Sequence, residues 1–303
     1  MFRTAWAETW TNGRRIERVC YVIGAALFAS GLFHLGVFAV DGGPWEGPVS
    51  WRKPATFGLS FGITLATVAW TASYPRIGER ARTLLLSSFA AASVVEVTLV
   101  TTQAWRHVPS HFNTGTALDT MITRVLAAGG GVIIVVLVAL TVAALRANPG
   151  VPASMRLALR VGYLALLVAM AIGALMIAKG MVQVVNGHPQ LAYTTGGAYK
   201  PAHAVAMHGI GVLPVLAWLL ARTGWDEARR FRIVGTAAAG YALLVAVVTI
   251  ESLAGTASLD APLPALVLAG VGAVILLGAA GYTAAGVLRT RATRAAAPAT
   301  GVR

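Results

Sequence analysis

Ionisable side chains stand inside long apolar segments of this sequence, where burying them is costly. In lipid, such residues commonly serve transport, proton transfer or ligand binding, or pair with one another between helices. Their types suit two kinds of chemistry, because carboxyl and imidazole groups exchange protons while ammonium groups bind anions. The residues concerned are His34, Glu96, Lys179, His203, His208 and Glu251.

Four of these side chains are candidate catalytic groups. Glu96 and Glu251 are predicted to act as acids or bases. His203 and His208, at the start of one apolar segment, are predicted to carry protons or to act as ligands. The alternative role is structural, in which pairs such as Lys179 and Glu251 form salt bridges that only hold helices together.

A second set of polar residues suits the binding of an anionic group. The connection 103–119, QAWRHVPSHFNTGTALD, places Arg106, His111 and Asn113 beside aromatic rings. Such a set fits an anionic head group on an aromatic or isoprenoid body. The alternative is an interfacial loop that anchors to phospholipid. The predicted substrate-binding residues are His34, Arg52, Lys53, Gln103, Arg106, His111, Asn113, Lys179 and Lys200.

The histidines also make a metal ion or a haem a candidate cofactor. His203 and His208 are five positions apart, which is about 140° around a helix, so they do not share a face. A bis-histidine haem would need ligands from two facing helices, such as His34 with either of them. The candidate metal ligands are therefore His34, His203 and His208.

The composition is that of a membrane protein rather than a soluble domain. Hydrophobic residues make up 57% of the 303 residues, charged residues only 12%, and the mean hydropathy is +0.71. A soluble domain carries about 25% charged residues. The single cysteine, Cys20, excludes an internal disulfide and a cysteine-rich metal site.

Eight apolar segments are each long enough to cross a bilayer as a helix. A helix rises about 1.5 Å per residue, so roughly 20 residues cross ~30 Å of hydrocarbon. No segment shows the alternation of a barrel strand. The sequence therefore predicts an all-α polytopic membrane protein with spans at 18–40, 54–74, 83–105, 121–145, 157–183, 201–221, 231–253 and 262–287.

Basic residues predict the orientation of these spans. Of the 24 Lys and Arg residues, 18 lie at the termini or in alternate connections, and positively charged loops remain cytoplasmic. We therefore predict a cell-membrane protein with both termini in the cytoplasm. Because this topology accounts for the net charge of +13, membrane lipid is a predicted partner and nucleic acid is not.

The two halves of the chain share a spaced pattern. Residues 41–55, DGGPWEGPVSWRKPA, and 186–202, NGHPQLAYTTGGAYKPA, both begin with Asx-Gly-x-Pro and end with Lys-Pro-Ala. Further along, Gly62 aligns with Gly209, while Gln103 and Glu251 occupy similar places. Four spans return the chain to its starting side, which predicts two parallel four-helix repeats. Their bounds are 1–147 and 148–287, followed by a disordered cytoplasmic tail at 288–303.

The depth of the polar residues indicates the class of function. In this orientation the six ionisable residues named first all lie in the outer halves of their spans, and the inner half contains no titratable cluster except interface arginines. A transmembrane ion path needs polar groups through its full depth. We therefore predict an outward-open site for an anionic or lipid-soluble small molecule, taken from the extracytoplasmic side or outer leaflet, with acid–base or redox chemistry. The alternatives are a proton-coupled carrier using Lys179 and Glu251, and an accessory membrane subunit.

A plan of four plus four helices with an outward site resembles the haem A synthases in architecture alone. The halves of those proteins carry histidine ligands in paired helices. Here the second, fourth and eighth predicted spans contain no histidine, and no pair of cysteines is available for an outer loop. No residue role is therefore carried over from that family.

Overall fold

The computed structural model describes residues 10–11, 13–256 and 260–296. Helices account for 80% of the chain and no strand occurs in this described part, which confirms the all-α prediction. Within these described residues, seven helices are long and apolar enough to cross a membrane. The protein is therefore a multi-pass integral membrane protein.

Nine helices of five residues or more follow one another along the described chain. Most are long, and α6 alone is a short helix between two long ones. Their bounds are α1 Arg15–Asp41, α2 Arg52–Thr71, α3 Glu79–Trp105, α4 Ala117–Leu145, α5 Ala153–Val185, α6 Pro189–Thr195, α7 Lys200–Leu220, α8 Glu227–Leu253 and α9 Leu263–Ala296.

The seven membrane-spanning candidates include every long helix except α2. Helix α2 forms over Arg52–Thr71, where the second span is predicted, but four threonines, a serine and two basic residues lower its hydropathy. The last helix continues to Ala296. Residues 288–296 of the predicted disordered tail are thus helical, which their alanine content favours; residues 297–303 lie outside the described part.

The chain divides into two compact units. Unit 1 comprises Met1–Ala143 and Gly173–Gly197, and unit 2 comprises Ala144–Ile172 and Ala198–Arg303. Unit 1 therefore takes in residues 173–197, which the sequence assigns to the second repeat. The physical reason is a contact of the 106–116 loop: Phe112 packs against Gly180 and lies 6.4 Å, ring centre to ring centre, from Tyr193.

Glycines bring the helices of unit 1 into backbone contact. A Cβ atom added at Gly62 would lie 2.6 Å from the carbonyl oxygen of Gly24, and one added at Gly58 would lie 2.6 Å from the amide nitrogen of Gly31. Helices α1 and α2 therefore approach more closely than side chains would allow. In lipid there is no hydrophobic driving force between helices. Small residues at the interface allow close van der Waals packing, which stabilises the helix pair instead.

Glycines also bring the helices of unit 2 into backbone contact. A Cβ atom at Gly162 of α5 would lie 3.0 Å from the carbonyl oxygen of Gly209 in α7. One at Gly272 of α9 would lie 2.7 Å from the carbonyl oxygen of Gly240 in α8. In both units, then, close helix packing depends on glycine pairs.

A glutamate and an arginine begin the 27-residue helix α3, and their contacts tie three segments of unit 1 together. Glu79 accepts a hydrogen bond from Nε of Arg14 at 2.6 Å. Arg82, which is buried, donates through NH2 to the carbonyl oxygens of Pro75 and Ile77 at 3.2 and 3.3 Å. Arg82 also donates to a third carbonyl, that of residue 72.

Helix α8 of unit 2 also has 27 residues and begins in the same way. Glu227 accepts a hydrogen bond from the backbone N–H of Ser154 at 2.7 Å, and Arg230 donates to the carbonyl oxygen of Thr223 at 3.0 Å. The same separation of 148 positions relates Glu79 to Glu227, Arg82 to Arg230 and Pro75 to Thr223. We call each Glu and Arg pair, with its contacts, a Glu–Arg clamp.

Candidate functional site

A buried polar network closes the Trp105 end of α3 in unit 1. Gln103 is fully buried and donates through Nε2 to Oδ1 of Asp119 at 2.9 Å. Arg106 donates through NH1 to the same oxygen at 2.7 Å and also to Oε1 of Gln103. Oδ2 of Asp119 accepts from the hydroxyl of Thr116 at 2.7 Å. We call these four residues the Gln103 network.

Local sequence explains why Asp119 stands there. Thr116 precedes α4, and its hydroxyl oxygen accepts from the backbone N–H of Asp119 at 3.1 Å while donating to the Asp119 carboxylate. This reciprocal contact is typical of a helix start with Thr followed three positions later by an acidic residue. The helix start thus fixes the carboxylate that holds Gln103 and Arg106.

The network fixes Arg106 through one of its three nitrogens. Within the described residues, every hydrogen bond of the guanidinium uses NH1. The side chain is 36% exposed, whereas that of Asp119 is 5% exposed. An arginine fork has five N–H donors in a fixed plane. Arg106 is therefore held in one orientation while its Nε and NH2 edges stay available to a further acceptor.

Aromatic rings cluster beside this network. The ring centre of Trp51 lies 5.0 Å from that of Trp105, edge to face, and 5.9 Å from that of His107. His34 lies 6.3 Å from both tryptophan rings. The indole N–H of Trp51 donates to the carboxylate of Asp41 at 2.5 Å. Trp105 remains half exposed, so the cluster has an open side.

His34 is buried, and its hydrogen bonds determine its tautomer. Nε2 accepts from the indole N–H of Trp105 at 3.1 Å, so the proton stands on Nδ1, which lies 2.7 Å from the carbonyl oxygen of Ser30. Both ring nitrogens are therefore occupied. The contacts support a role for His34 in holding Trp105 in place.

The loop from Arg106 to Thr116 contains two residues with left-handed backbone. His107 has φ 53° and Phe112 has φ 61°. Residues other than glycine adopt this conformation at a cost and persist in it where surrounding contacts compensate, often at functional sites. At Phe112 the conformational cost is compensated by packing of its ring on Gly180, where any Cβ atom would overlap the ring. The loop is thus held in one defined shape.

His111 lies inside this loop against the rings of Phe57 and Phe112, with centres 5.8 and 6.3 Å away. Burial among them, with a smaller contribution from the charge of Lys53, lowers the pKa of His111 to about 4. At neutral pH its imidazole is therefore uncharged. Nδ1 lies 2.9 Å from the hydroxyl of Ser110.

Other predicted binding residues of unit 1 shape the loops. Asn113 donates to the carbonyl oxygen of Pro109 at 3.2 Å. Arg52 donates to the carbonyl oxygen of Trp45 at 2.8 Å and pairs with Glu46 at 3.2 Å. Lys53 donates to the carbonyl oxygen of Pro48 at 3.1 Å. Lys179, by contrast, lies exposed on α5.

Glu96 stands apart from the network, deeper along α3. It is 4% exposed. Its carboxyl group lies against Gly129 and Gly130 of α4, and a Cβ atom added at Gly129 would lie 2.7 Å from Oε1. Gly131, by contrast, has open space where a Cβ would stand. The glycine run of α4 thus contains a notch for this carboxyl group.

The remaining predicted residues belong to unit 2. Nδ1 of His203 lies 2.7 Å from the carbonyl oxygen of Ala169, and that of His208 lies 2.5 Å from the carbonyl oxygen of Ala204. His208 is exposed, whereas His203, Lys200 and Glu251 are half-buried. Since unit 1 holds His34 while unit 2 holds His203 and His208, a metal or haem site shared by these histidines remains a prediction.

Among the described residues, neither a metal cluster nor the groove along α4 coincides with the Gln103 network. The described residues contain no group of three His, Cys, Asp or Glu side chains that could hold a metal ion. An open groove of about 440 Å³ follows one face of α4, lined among others by Thr120, Met121 and Arg124. It does not include the Gln103 network. The network is therefore better described as an exposed edge than as a pocket.

Several site residues escaped the sequence prediction, namely Asp41, Trp51, Thr116, Asp119 and Gly129. A signal existed for two of them, because Thr116 and Asp119 have the spacing of a helix-start pair. The sequence of the chain matches no known protein-family model, and comparisons with curated proteins and with solved structures found no similar protein. The residues themselves must therefore carry any functional assignment.

Proposed function

We propose that the protein consists of two parallel four-helix repeats with eight membrane crossings. The arginines of the two Glu–Arg clamps support this, since each donates to a carbonyl group seven positions before it, at places 148 residues apart. Thr101 and Thr249 have the same separation, and each has a buried hydroxyl without a hydrogen-bond partner in the described part of the chain. Gly62 and Gly209, a predicted pair, both make close contact with the preceding long helix.

In this proposal α2 is the eighth span, antiparallel to α1. Its 20 residues correspond to about 30 Å of helix, enough for the hydrocarbon core. The basic connections then lie in the cytoplasm together with both termini, in the cell membrane. The Glu–Arg clamps stand on that side, and the Gln103 network stands on the extracytoplasmic side.

Cysteine labelling tests the eight crossings. Glu46→Cys and Arg76→Cys lie in the connections before and after α2, and the native Cys20 is buried. In intact cells we expect a membrane-impermeant maleimide to label Glu46→Cys and not Arg76→Cys. Labelling of both residues from one side would show that α2 does not cross.

We propose further that the Trp105 end of unit 1 binds an anionic, lipid-soluble small molecule. The observation that carries this proposal is the anchoring of Arg106 through one nitrogen. NH1 is bonded to Asp119 and Gln103, no described hydrogen bond uses Nε or NH2, and the side chain is 36% exposed. A preorganised, partly exposed guanidinium suits a phosphate or carboxylate, which it binds through two parallel hydrogen bonds.

The surroundings of Arg106 favour a ligand with an apolar body. Trp51 and Trp105 offer ring surface on one side, and half-exposed Trp105 is accessible. His111 is uncharged at neutral pH, and Lys53 beside it supplies a positive charge. Because Asp119 already balances Arg106, the additional cation favours an anion over a neutral ligand.

Binding of chemically matched probes tests this function. Farnesyl phosphate has the proposed anionic head and apolar body, farnesol lacks the charge, and a short-chain quinone has a neutral redox head. We expect farnesyl phosphate to quench tryptophan fluorescence of the purified protein in detergent with the highest affinity. Equal binding of farnesol would contradict an anion site, and preference for the quinone would point to redox chemistry.

Substitution of the arginine locates the site. A hydrogen bond to a charged group contributes about 1.5–3 kcal/mol, so Arg106→Gln should weaken farnesyl phosphate binding roughly 10- to 100-fold. Arg124→Gln is the matched control, because Arg124 is an exposed arginine of the same unit outside the network. Unchanged binding by Arg106→Gln would remove this site from consideration.

A further inference from the structure

Glu96 is a buried carboxyl group of unit 1 that has no cation beside it among the described residues. Asp119 pairs with Arg106, and Glu79 pairs with Arg14. Among the described residues, Glu96 forms no salt bridge, and its carboxyl group contacts the backbone at Gly129 and Gly130. It is nevertheless almost completely buried inside a membrane-spanning helix.

A layer of apolar side chains separates Glu96 from the Gln103 network. Val100 stands between Glu96 and Gln103 on α3, while Ile122 and Leu126 stand between Asp119 and Gly129 on α4. These three residues form one buried hydrophobic cluster, with Phe57 and Leu99 packed against it. Water and the charged network are therefore kept away from the carboxyl group.

An ionised carboxylate without a cation partner is far more costly in such surroundings than a neutral carboxylic acid. We propose that Glu96, seated in the notch at Gly129, is a proton-binding site. Its carboxyl group holds the proton at neutral pH, and the layer of Val100, Ile122 and Leu126 controls exchange of that proton with the Gln103 network. This inference does not depend on the ligand proposed at Arg106.

The notch gives the site its shape. Alanine at 129 would place a methyl group 2.7 Å from Oε1, which would force the carboxyl group to move. Alanine at 131 meets open space, and both substitutions raise helix propensity equally. Gly129→Ala and Gly131→Ala therefore form a matched pair in which only the first should disturb Glu96.

Infrared difference spectroscopy of the full-length protein in lipid vesicles tests the proposal. In the spectrum of the wild type minus that of Glu96→Gln at pH 7, we expect the C=O stretching band of a protonated carboxylic acid. Gly129→Ala should shift this band and Gly131→Ala should leave it in place. Carboxylate bands in the same difference spectrum would overturn the proposal.

Chemical labelling provides a second test that needs no glutamate variant. Dicyclohexylcarbodiimide reacts with protonated carboxyl groups in membranes: the acid adds across a C=N bond, giving an O-acylisourea that rearranges to a stable N-acylurea. We expect peptide mass spectrometry to find the adduct on Glu96 and not on ion-paired Asp119. Ile122→Ser should speed labelling of Glu96 by opening the apolar layer. Labelling of Asp119 in preference to Glu96, in the wild type and in Ile122→Ser, would overturn the proposal.

Discussion

Helix α3 of unit 1 and helix α8 of unit 2 begin with similar contacts but end in different surroundings. Each helix begins with a Glu–Arg clamp, in which the arginine donates to a carbonyl group at the matching position. At the far ends, Gln103 is fully buried in a network, whereas Glu251 is half-buried and makes no side-chain hydrogen bond within the described residues. Shared contacts of this kind hold helices together, so we seek the proposed function where the units diverge.

The largest expected effect concerns the clamps, whose likeness is incomplete. Arg82 donates to three carbonyl groups, while the described hydrogen bonds of Arg230 reach one. Arg82→Leu leaves these acceptors buried without donors and should cost about 2–4 kcal/mol of unfolding free energy. Arg230→Leu should cost about half as much. Thermal unfolding in detergent measures both, and equal costs would show that the extra carbonyls do not matter.

The divergent ends give the next largest difference. Gln103→Leu leaves Asp119 and Arg106 with a partner missing in a buried network, so we expect a loss of about 2 kcal/mol. Glu251→Leu removes a half-buried side chain from unit 2 and should cost less than ~0.5 kcal/mol. The melting temperatures of the two variants provide the comparison. A larger loss for Glu251→Leu would reverse the assignment of the buried network to unit 1.

Of the two connections that follow α3 and α8, only that of unit 1 should be sensitive to acid, because the connection at 254–262 of unit 2 contains no histidine. The pKa of His111 is about 4 in the folded protein and about 6.5 when unfolded. The unfolded chain therefore binds more protons between these values. Stability is complete above pH 6.5 and falls as the pH drops toward 4, by about 1–2 kcal/mol at pH 5.

Melting curves from pH 7.5 to 4.5 check this dependence. His111→Gln should lose it in the window between pH 6.5 and 4. His107→Asn is the control, since it removes a histidine of the same loop and asparagine tolerates the left-handed backbone there. If His111→Gln retains the acid sensitivity of the wild type, the histidine is not held uncharged by the loop.

The sequence predicts helices more securely than it predicts contacts between them. Apolar length alone indicates all the long helices, and the positions of Arg106, Gln103 and His111 at one helix end indicate a polar edge. The role of Asp119 depends on the shape of the 106–116 loop, which in turn depends on Phe112 reaching Gly180 of a helix distant in sequence. Such long-range packing has no local signal, and the same holds for the Gly129 notch.

The sequence pattern also does not distinguish the cations from one another. Arg52 and Arg106 look equivalent as anion-binding groups in loops rich in tryptophan. In the structure Arg52 donates to a loop carbonyl and to Glu46, whereas Arg106 is anchored through a single nitrogen. Only a fixed backbone decides which edges of a guanidinium are occupied, so the two side chains could not be distinguished from residue types and spacing.

The smallest expected effect is the most direct test of likeness between the units. Glu79 and Glu227 each link the start of their helix to the start of α1 or α5, through Arg14 or Ser154 respectively. Because Glu79 is largely exposed, its contact should contribute little, and Glu79→Gln should cost about 0.5–1 kcal/mol. If the clamps are equivalent, Glu227→Gln has a similar cost, and the double variant loses the sum of the two because the sites share no partner. A negligible cost for one beside a large cost for the other would mean that the shared spacing at these ends does not reflect a shared structural role.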